Sequence, residues 1–265
     1  MVYVFLFSLR TVWRPMVFVS LIILLFLLLI GFVWNSLGDT LAIGLMELLP
    51  DDLKELLESQ FGFMPAAGVE GWLASVSRHP IFIVLFTAYS IAVGAGSISR
   101  EIETGDILFV LSKPISRTAF IAGKIMASVT GIFILQLVYL LGLIASLRFF
   151  GATTNMDLFI YLVINSFLLF MLINAMAVCF SAFGNEASWA IGRSVMVILL
   201  MYFVDFVSNI WEPAASYGFI SLFHYYDPGN IVLDQKVPWQ DFAVLSLCSS
   251  AIYLVSGVAF QKRDI

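Results

Sequence analysis

Long apolar runs alternate with short polar connectors along the chain. Six runs are apolar over about 20 residues, the length at which a helix crosses the roughly 30 Å hydrocarbon core of a bilayer. The pattern therefore predicts an all-α membrane protein with one transmembrane domain over residues 1–265. The predicted spans are residues 16–38, 80–98, 117–148, 157–183, 189–210 and 241–260.

Three of the remaining regions have patterns typical of the membrane interface. Residues 1–15 are apolar and aromatic with Arg10 and Arg14 one turn apart, which predicts an interfacial elbow helix whose cations extend to water. Residues 39–79 are acidic and form an external loop, in which residues 51–60 predict an amphipathic surface helix. Residues 211–240 are rich in aromatics and proline, which favours short re-entrant or interfacial helices in the outer leaflet.

The connector between the second and third spans, residues 99–116, combines charge with helical periodicity. Ile98, Ile102 and Phe109 fall at i, i+4 and i+11, with Leu108 and Leu111 beside them, which predicts one apolar stripe. The charged residues of the opposite face are Arg100, Glu101, Glu103 and Asp106.

Four residues predict where the helices of this connector begin and end. Gly105 is suited to end a first helix in a left-handed conformation, and Asp106 to open a second. Pro114 stops the second helix, and Ser116 is placed to cap the third span. The sequence thus predicts two short helices with a bend, fixed at both ends to spans and suited to receive force from a soluble partner.

The same connector resembles a known sequence motif. REIETG at 100–105, LSKPISR at 111–117 and GK at 123–124 are similar to the coupling segment of type-2 ATP-binding-cassette (ABC) exporter permeases, whose usual form is R-E-x-E-x-G-T-L-x-x-L-L-S-x-P-V-S-R. Asp106 stands where that family usually has threonine. Aspartate caps a helix as well as threonine does. The resemblance implies that the coupling to an ATPase is made by Arg100, Glu101, Glu103, Gly105, Asp106, Leu108, Leu111, Pro114 and Arg117.

The resemblance also implies partners and a mechanism. We expect ABC ATP-binding subunits that carry ATP and Mg, a second permease protomer (identical or related), and the surrounding membrane lipid. ATP binding would move the coupling helices, and the spans would export a substrate. The residues that resemble the family's helices at the outer exit, the external gate region, are Phe223, Tyr225, Tyr226, Asp227 and Pro228.

Composition excludes several classes of protein. The chain is 61% hydrophobic and 12% charged, whereas a soluble domain needs about a quarter of its residues charged. Its 265 residues leave no room beside six spans for a nucleotide-binding domain, and no phosphate-binding G-x-x-x-x-G-K-S/T occurs. The net charge of −5 and the lack of a basic patch exclude nucleic acid as a partner. Nucleophile–base pairs and metal-ligand spacings are absent too, so we expect no catalytic residue, metal or cofactor on this chain.

Basic residues predict the orientation in the membrane. If the connector is cytoplasmic, nine Lys and Arg residues lie inside and four outside, which obeys the positive-inside rule. Both termini of this multi-pass protein of the cell membrane would then be cytoplasmic. The four on the outer side are Lys54, Arg78, Arg148 and Lys236.

Polar side chains within spans are candidates for function because each is costly in hydrocarbon unless it is paired. They include Gln136, Asn165, Asn174 and Asp205. Asn165 and Asn174 are about 13 Å apart along a helix and half a turn apart in angle, so we expect hydrogen bonds between helices rather than one pathway. Asp205 is the ionisable candidate for a substrate or proton contact, although its place near the outer end equally favours simple solvation.

Two functions remain from the sequence. The favoured one is the permease subunit of an ATP-driven exporter for an amphiphilic or hydrophobic substrate. The alternative is a secondary carrier or a membrane assembly scaffold that does not use ATP. Carriers usually have internal repeats and central ion-binding carboxylates, and this sequence has neither.

Overall fold

The computed structural model describes residues 2–51, 53–54, 75–112, 115–149, 156–233 and 236–263. Within these residues the chain is helical and contains no strand. The helices are α1 (Val2–Leu48), α2 (Pro80–Ala95), α3 (Ser99–Glu103), α4 (Asp106–Leu111), α5 (Arg117–Phe149), α6 (Met156–Phe183), α7 (Ala187–Ile210), α8 (Pro228–Leu233) and α9 (Trp239–Gln261), with two 3₁₀ helices at Glu212–Ile220 and Leu222–Tyr225.

Five of these helices contain segments long and apolar enough to cross a membrane: α1, α5, α6, α7 and α9. The predicted second span corresponds to α2, an apolar helix of 16 residues. It is short because it ends at Ala95, before Gly96, and the chain then turns into α3. The all-α membrane fold is therefore confirmed, with five candidate spans and one shorter apolar helix.

The predicted elbow at residues 1–15 is not a separate helix. α1 runs without interruption through Pro15, and its buried side chains form one stripe on both sides of that proline. A continuous stripe at intervals of three and four residues keeps one helix face against a neighbour, here mainly α5. The members of this stripe are Val4, Ser8, Val12, Val19, Ile23 and Leu27.

The C-terminal part of α1 also differs from the prediction. Residues 39–48 were expected in the external loop, but the helix continues to Leu48. No proline occurs between Pro15 and Pro50, and residues 41–49 are almost all apolar, so the helix meets no proline until Pro50. The predicted amphipathic helix at residues 51–60 lies mostly outside the described residues.

α6 is the central helix of the bundle and packs against α2, α5, α7 and α9. Its Asn174 side chain is fully buried. Asn174 Oδ1 accepts hydrogen bonds from Ser128 Oγ of α5 (2.9 Å) and from the Tyr253 hydroxyl of α9 (2.8 Å). Its Nδ2 donates to the Ser90 carbonyl of α2 (2.8 Å). The prediction of helix-to-helix hydrogen bonding at Asn174 is confirmed, and this one amide joins α6 to three other helices.

Small residues allow the helices to approach closely within the protomer. A Cβ atom at Gly131 of α5 would lie 2.2 Å from the Tyr89 hydroxyl, and one at Gly123 would lie 3.0 Å from Val4 of α1. On α2 the small residues Ala88 and Ala92 are exposed and do not make such a contact. Gly94 makes the close contact instead, because a Cβ there would lie 2.8 Å from Asn174 Nδ2.

The helix packing defines two ends of the bundle. At one end, a small hydrophobic cluster joins the start of α1, the connector, the start of α5 and the ends of α6 and α9; its buried members are Val4, Ile98, Ile107, Phe120, Ile121, Ala182 and Phe260. At the other end, the Phe26 ring of α1 lies 4.9 Å from the His79 ring, and His79 Nδ1 accepts from the Ile81 N–H (3.2 Å) at the start of α2. We call these the connector end and the far end.

Candidate functional site: the connector between α2 and α5

The connector consists of two short helices separated by a bend. α3 has five residues and α4 has six. Gly105 lies between them with φ of 78°, the left-handed region that favours glycine, and Asp106 is the first residue of α4. Ser116 Oγ accepts from the Ala119 N–H (3.2 Å) and so caps α5. The predicted bend at Gly105, the start at Asp106 and the cap at Ser116 are confirmed.

The start of α3 is held by a serine from another helix. Ser181 Oγ, near the end of α6, accepts hydrogen bonds from the backbone N–H groups of Ile98 (3.0 Å) and Ser99 (2.9 Å). Ser181 Oγ also donates to Ser99 Oγ (3.2 Å), which in turn donates to the Ala95 carbonyl (2.6 Å). Ser99 and Ser181 are both fully buried. The first N–H groups of α3 are therefore satisfied by α6 rather than by water.

Two acidic side chains of α3 bind neighbouring helices. Glu101 Oε1 accepts a hydrogen bond from Lys124 Nζ of α5 in an ion pair whose side chains are both largely buried. Glu103 Oε2 accepts from the backbone N–H of Ala187 (3.0 Å), the first residue of α7. A carboxylate at a helix N-terminus is favoured by the helix dipole as well as by the hydrogen bond. α3 is thus fixed to α5, α6 and α7.

Of the apolar side chains of α4 that the structure describes, one is buried and two are exposed. Ile107 is 1% exposed within the cluster at the connector end, whereas Leu108 is 62% and Phe109 is 74% exposed. The predicted stripe of Ile98, Ile102 and Phe109 is therefore wrong at Phe109. Spacing of i and i+11 places two residues on one face only if the helix is continuous, and the turn at Gly105 changes the phase between α3 and α4.

The remaining predicted coupling residues occupy different positions. Arg100 is exposed on α3. Asp106 is also exposed, and its Oδ2 lies 2.8 Å from the Thr104 hydroxyl, which donates to it. Leu111 is the last residue of α4, and Pro114 lies outside the described residues.

Arg117 binds the chain's own C-terminal segment. Its Nη1 donates to the carbonyls of Gln261 (3.1 Å) and Arg263. Arg263 then donates from Nη1 to the Ala182 carbonyl (2.8 Å) and from Nη2 to Asn185 Oδ1. These contacts show Arg117 fastening the end of α9 to the start of α5, a role that the sequence did not reveal.

The other polar candidates within spans are buried, and each makes at least one hydrogen bond through its side chain. Ser166 Oγ donates to Gln136 Oε1 (2.8 Å), and Asn165 Nδ2 donates to the Tyr225 carbonyl (3.0 Å). Asp205 is 6% exposed, so of the two sequence-based interpretations, simple solvation does not hold. Its Oδ2 accepts from Asn209 Nδ2 (3.3 Å), and Arg78, His224 and Asp227 lie near enough to interact with it electrostatically.

The predicted external gate residues pack together at the far end. Phe223 and Tyr226 are buried, and the Tyr226 hydroxyl donates to the Ser77 carbonyl (2.9 Å). Burial holds the pKa of Tyr226 well above its usual range, so this hydroxyl stays a donor. Asp227 accepts two hydrogen bonds from Asn230, through Oδ1 (3.2 Å) and Oδ2 (2.7 Å), and Pro228 begins α8. Short helices are present here, and the gate function stays a prediction.

Ser181 is the functional residue that sequence reasoning missed. It lies 82 residues from Ser99 in the chain, and a serine near the end of an apolar run has no spacing that identifies its partner. The signal that remained was indirect: a short helix at a span boundary has N–H groups that need an acceptor, and a buried serine near the end of another span can supply one.

Comparison with known proteins identified a family. A family model described as ABC-2 family transporter protein matches residues 9–265. No curated protein matched the chain.

We predict that Ser181→Ala loosens the connector, because the Ile98 and Ser99 N–H groups lose their acceptor. Loss of a helix cap costs about 0.5–2 kcal/mol, so amide hydrogen exchange of residues 98–103 should accelerate roughly ten-fold. The matched control is Ser194→Ala, since buried Ser194 donates within its own helix to the Ala190 carbonyl (2.7 Å). Equal exchange in both variants would contradict the anchoring role of Ser181.

Proposed function

Because the chain belongs to the ABC-2 transporter family, whose members are membrane components that work with an ATP-binding subunit, we propose that it is the permease of an ATP-driven exporter. In this proposal α3 and α4 are the coupling helices. ATP and Mg bind the partner subunit. A second permease protomer, identical or related, completes the transporter, and the substrate is amphiphilic or hydrophobic.

The observation that carries the proposal is the exposed apolar pair on α4. Leu108 and Phe109 are exposed on α4, whereas Ile107 of the same helix is buried among the ends of the spans. Two adjacent large apolar side chains at the tip of an anchored connector fit a hydrophobic cleft on a soluble protein. A partner that binds them would act on α3, and through the contacts of α3 on α5, α6 and α7.

We propose six crossings, with α2 as the second. The 16 residues of α2 give a helix about 24 Å long. Residues 75–78, immediately before His79, are also helical and extend the helical segment. α2 also packs against α6, the central helix, rather than lying outside the bundle. Six crossings return the chain to the side on which it started, which agrees with α1 beginning and α9 ending at the connector end.

Charge supports a cytoplasmic connector end. Arg100, Arg117, Lys124 and Arg263 all lie at the connector end, whereas Arg78 lies at the far end, 3.4 Å from the Tyr226 carbonyl. Positive residues are retained on the cytoplasmic side of membrane proteins. Both termini are cytoplasmic in this orientation, and the aromatic region around Tyr226 faces the exterior.

The first test measures partner binding. Phe109→Ala should weaken binding of the purified ATP-binding subunit about 10- to 100-fold and reduce ATP-driven transport, because burial of a phenylalanine side chain contributes about 1.5–3 kcal/mol. The control Phe203→Ala removes a ring that is 62% exposed on α7, away from the connector, and should leave binding unchanged. Unaltered binding and transport by the Phe109 variant would refute the coupling role.

The second test concerns orientation. In a background with Cys179 and Cys248 replaced by serine, a cysteine at exposed Ser112 should react with a membrane-impermeant maleimide in inside-out vesicles and not in intact cells. A cysteine at exposed Asn230, at the far end, should show the opposite pattern. Labelling of Ser112→Cys from outside intact cells would reverse the assigned topology.

A further inference from the structure

A cavity of about 350 Å³ lies at the connector end between α1, α2, α3 and α5. That volume is in the range of roughly 300–1,000 Å³ typical of small-molecule sites. Three basic side chains line it: Arg14 of α1, Arg100 of α3 and Lys124 of α5. Among the described residues that line it, none is acidic. On the side of α2 the cavity is lined by two small residues, Ala92, which is exposed, and Gly96, which follows the helix.

The positive charge of the cavity is only partly neutralised. Lys124 is paired with Glu101, which is not a lining residue. Among the described residues, neither Arg14 nor Arg100 makes a side-chain hydrogen bond or ion pair; the Arg14 guanidinium lies 6.0 Å from the Trp13 ring centroid. Two guanidinium groups beside a low-dielectric wall attract an anion strongly, and arginine favours the oxygens of phosphate.

A buried donor without a partner also faces this cavity. Ser8 lines it, is 4% exposed, and its hydroxyl has no hydrogen-bond partner within the described part of the chain. An unpaired buried hydroxyl is costly, and a bound oxygen atom would satisfy it. The serine and the two arginines line the same cavity, and each can donate a hydrogen bond to the oxygens of an anion.

The surface next to the cavity is suited to an acyl chain. From Arg14, the residues at i+4, i+7 and i+11 on the same face of α1 are Phe18, Leu21 and Leu25, which are all exposed. This apolar stripe runs along α1 from the cationic cavity towards the far end of the bundle. A free phosphate would use only the cavity, whereas a phospholipid would use both the cavity and the stripe.

The geometry points to a binding site for an anionic phospholipid, with its phosphate between Arg14 and Arg100 and an acyl chain along α1. The phosphate would bridge the first span and the coupling connector, so that a lipid holds α3 against α1. The inference concerns the permease alone and does not depend on the identity of the ATPase or of the exported substrate.

The test is a binding measurement on the purified permease in maltoside detergent. The probes are dioctanoyl phosphatidylglycerol, dioctanoyl phosphatidylcholine and inorganic phosphate. We expect saturable binding of phosphatidylglycerol, with binding of the other two at least about ten-fold weaker. Equal affinity for the two lipids would overturn the charge argument. Equal affinity for phosphatidylglycerol and inorganic phosphate would refute the proposal of a lipid site and would show that a free anion is the occupant.

Variants locate the site. Arg14→Gln and Arg100→Gln should each weaken phosphatidylglycerol binding about ten-fold, because each removes one charge-assisted contact. Arg193→Gln is the matched control, since Arg193 is an exposed arginine in the first two turns of α7 and does not line the cavity. Ala92→Phe keeps every charge, fills the cavity from an exposed position, and should also weaken binding. Unchanged binding with Ala92→Phe, or an equal loss with Arg193→Gln, would refute the site.

Discussion

The structure depends on one requirement: the first N–H groups of the connector must find an acceptor at the buried end of a membrane bundle. Ser181 Oγ supplies it, because it accepts from both Ile98 and Ser99. Where water is excluded, an unsatisfied backbone N–H is expensive, so α3 stays where Ser181 is. This contact determines where the connector leaves the bundle and which of its faces remain exposed.

The same helix that provides Ser181 also holds the bundle together. Asn174 lies seven residues earlier on α6, two turns or about 10 Å away, and binds α2, α5 and α9. Asn165, nearer the start of α6, binds the Tyr225 carbonyl among the aromatic residues of the far end. α6 therefore carries polar contacts at the connector end, in the middle and towards the far end. A displacement of the connector is therefore linked through α6 to the aromatic residues of the far end.

Much of this arrangement could be predicted from the sequence, because apolar run length, glycine, proline and capping residues act locally. The bend at Gly105, the cap at Ser116 and the four long spans after the connector follow from such signals. Predictions were wrong where packing between helices overrode a local signal. The charges of Arg10 and Arg14 indicated an interfacial elbow, whereas packing against α5 continues the helix through Pro15.

Other features could not be predicted because they depend on residues far apart in the chain. Arg117 matches a coupling motif, yet its guanidinium binds carbonyls some 144 residues away. The exposure of Phe109 depends on the helix phase after Gly105, which spacing alone does not provide. The hydrogen bonds to Ser181 and the cavity beside Arg14 depend on how several helices are placed relative to one another. A single sequence does not provide that information.

The central claim is that the connector and the bundle move as one body. Spin labels at Ser112, at the end of α4, and at Ser188, at the start of α7, would measure it by pulsed dipolar spectroscopy in the complex with the ATP-binding subunit. Both positions are exposed, and α3 contacts α7 through Glu103. The account predicts that, in a preparation that transports substrate, the distance distribution between the two labels of one protomer keeps its mean and width when ATP binds. A shift or broadening of that distribution on ATP binding would show the connector moving independently and would contradict the account.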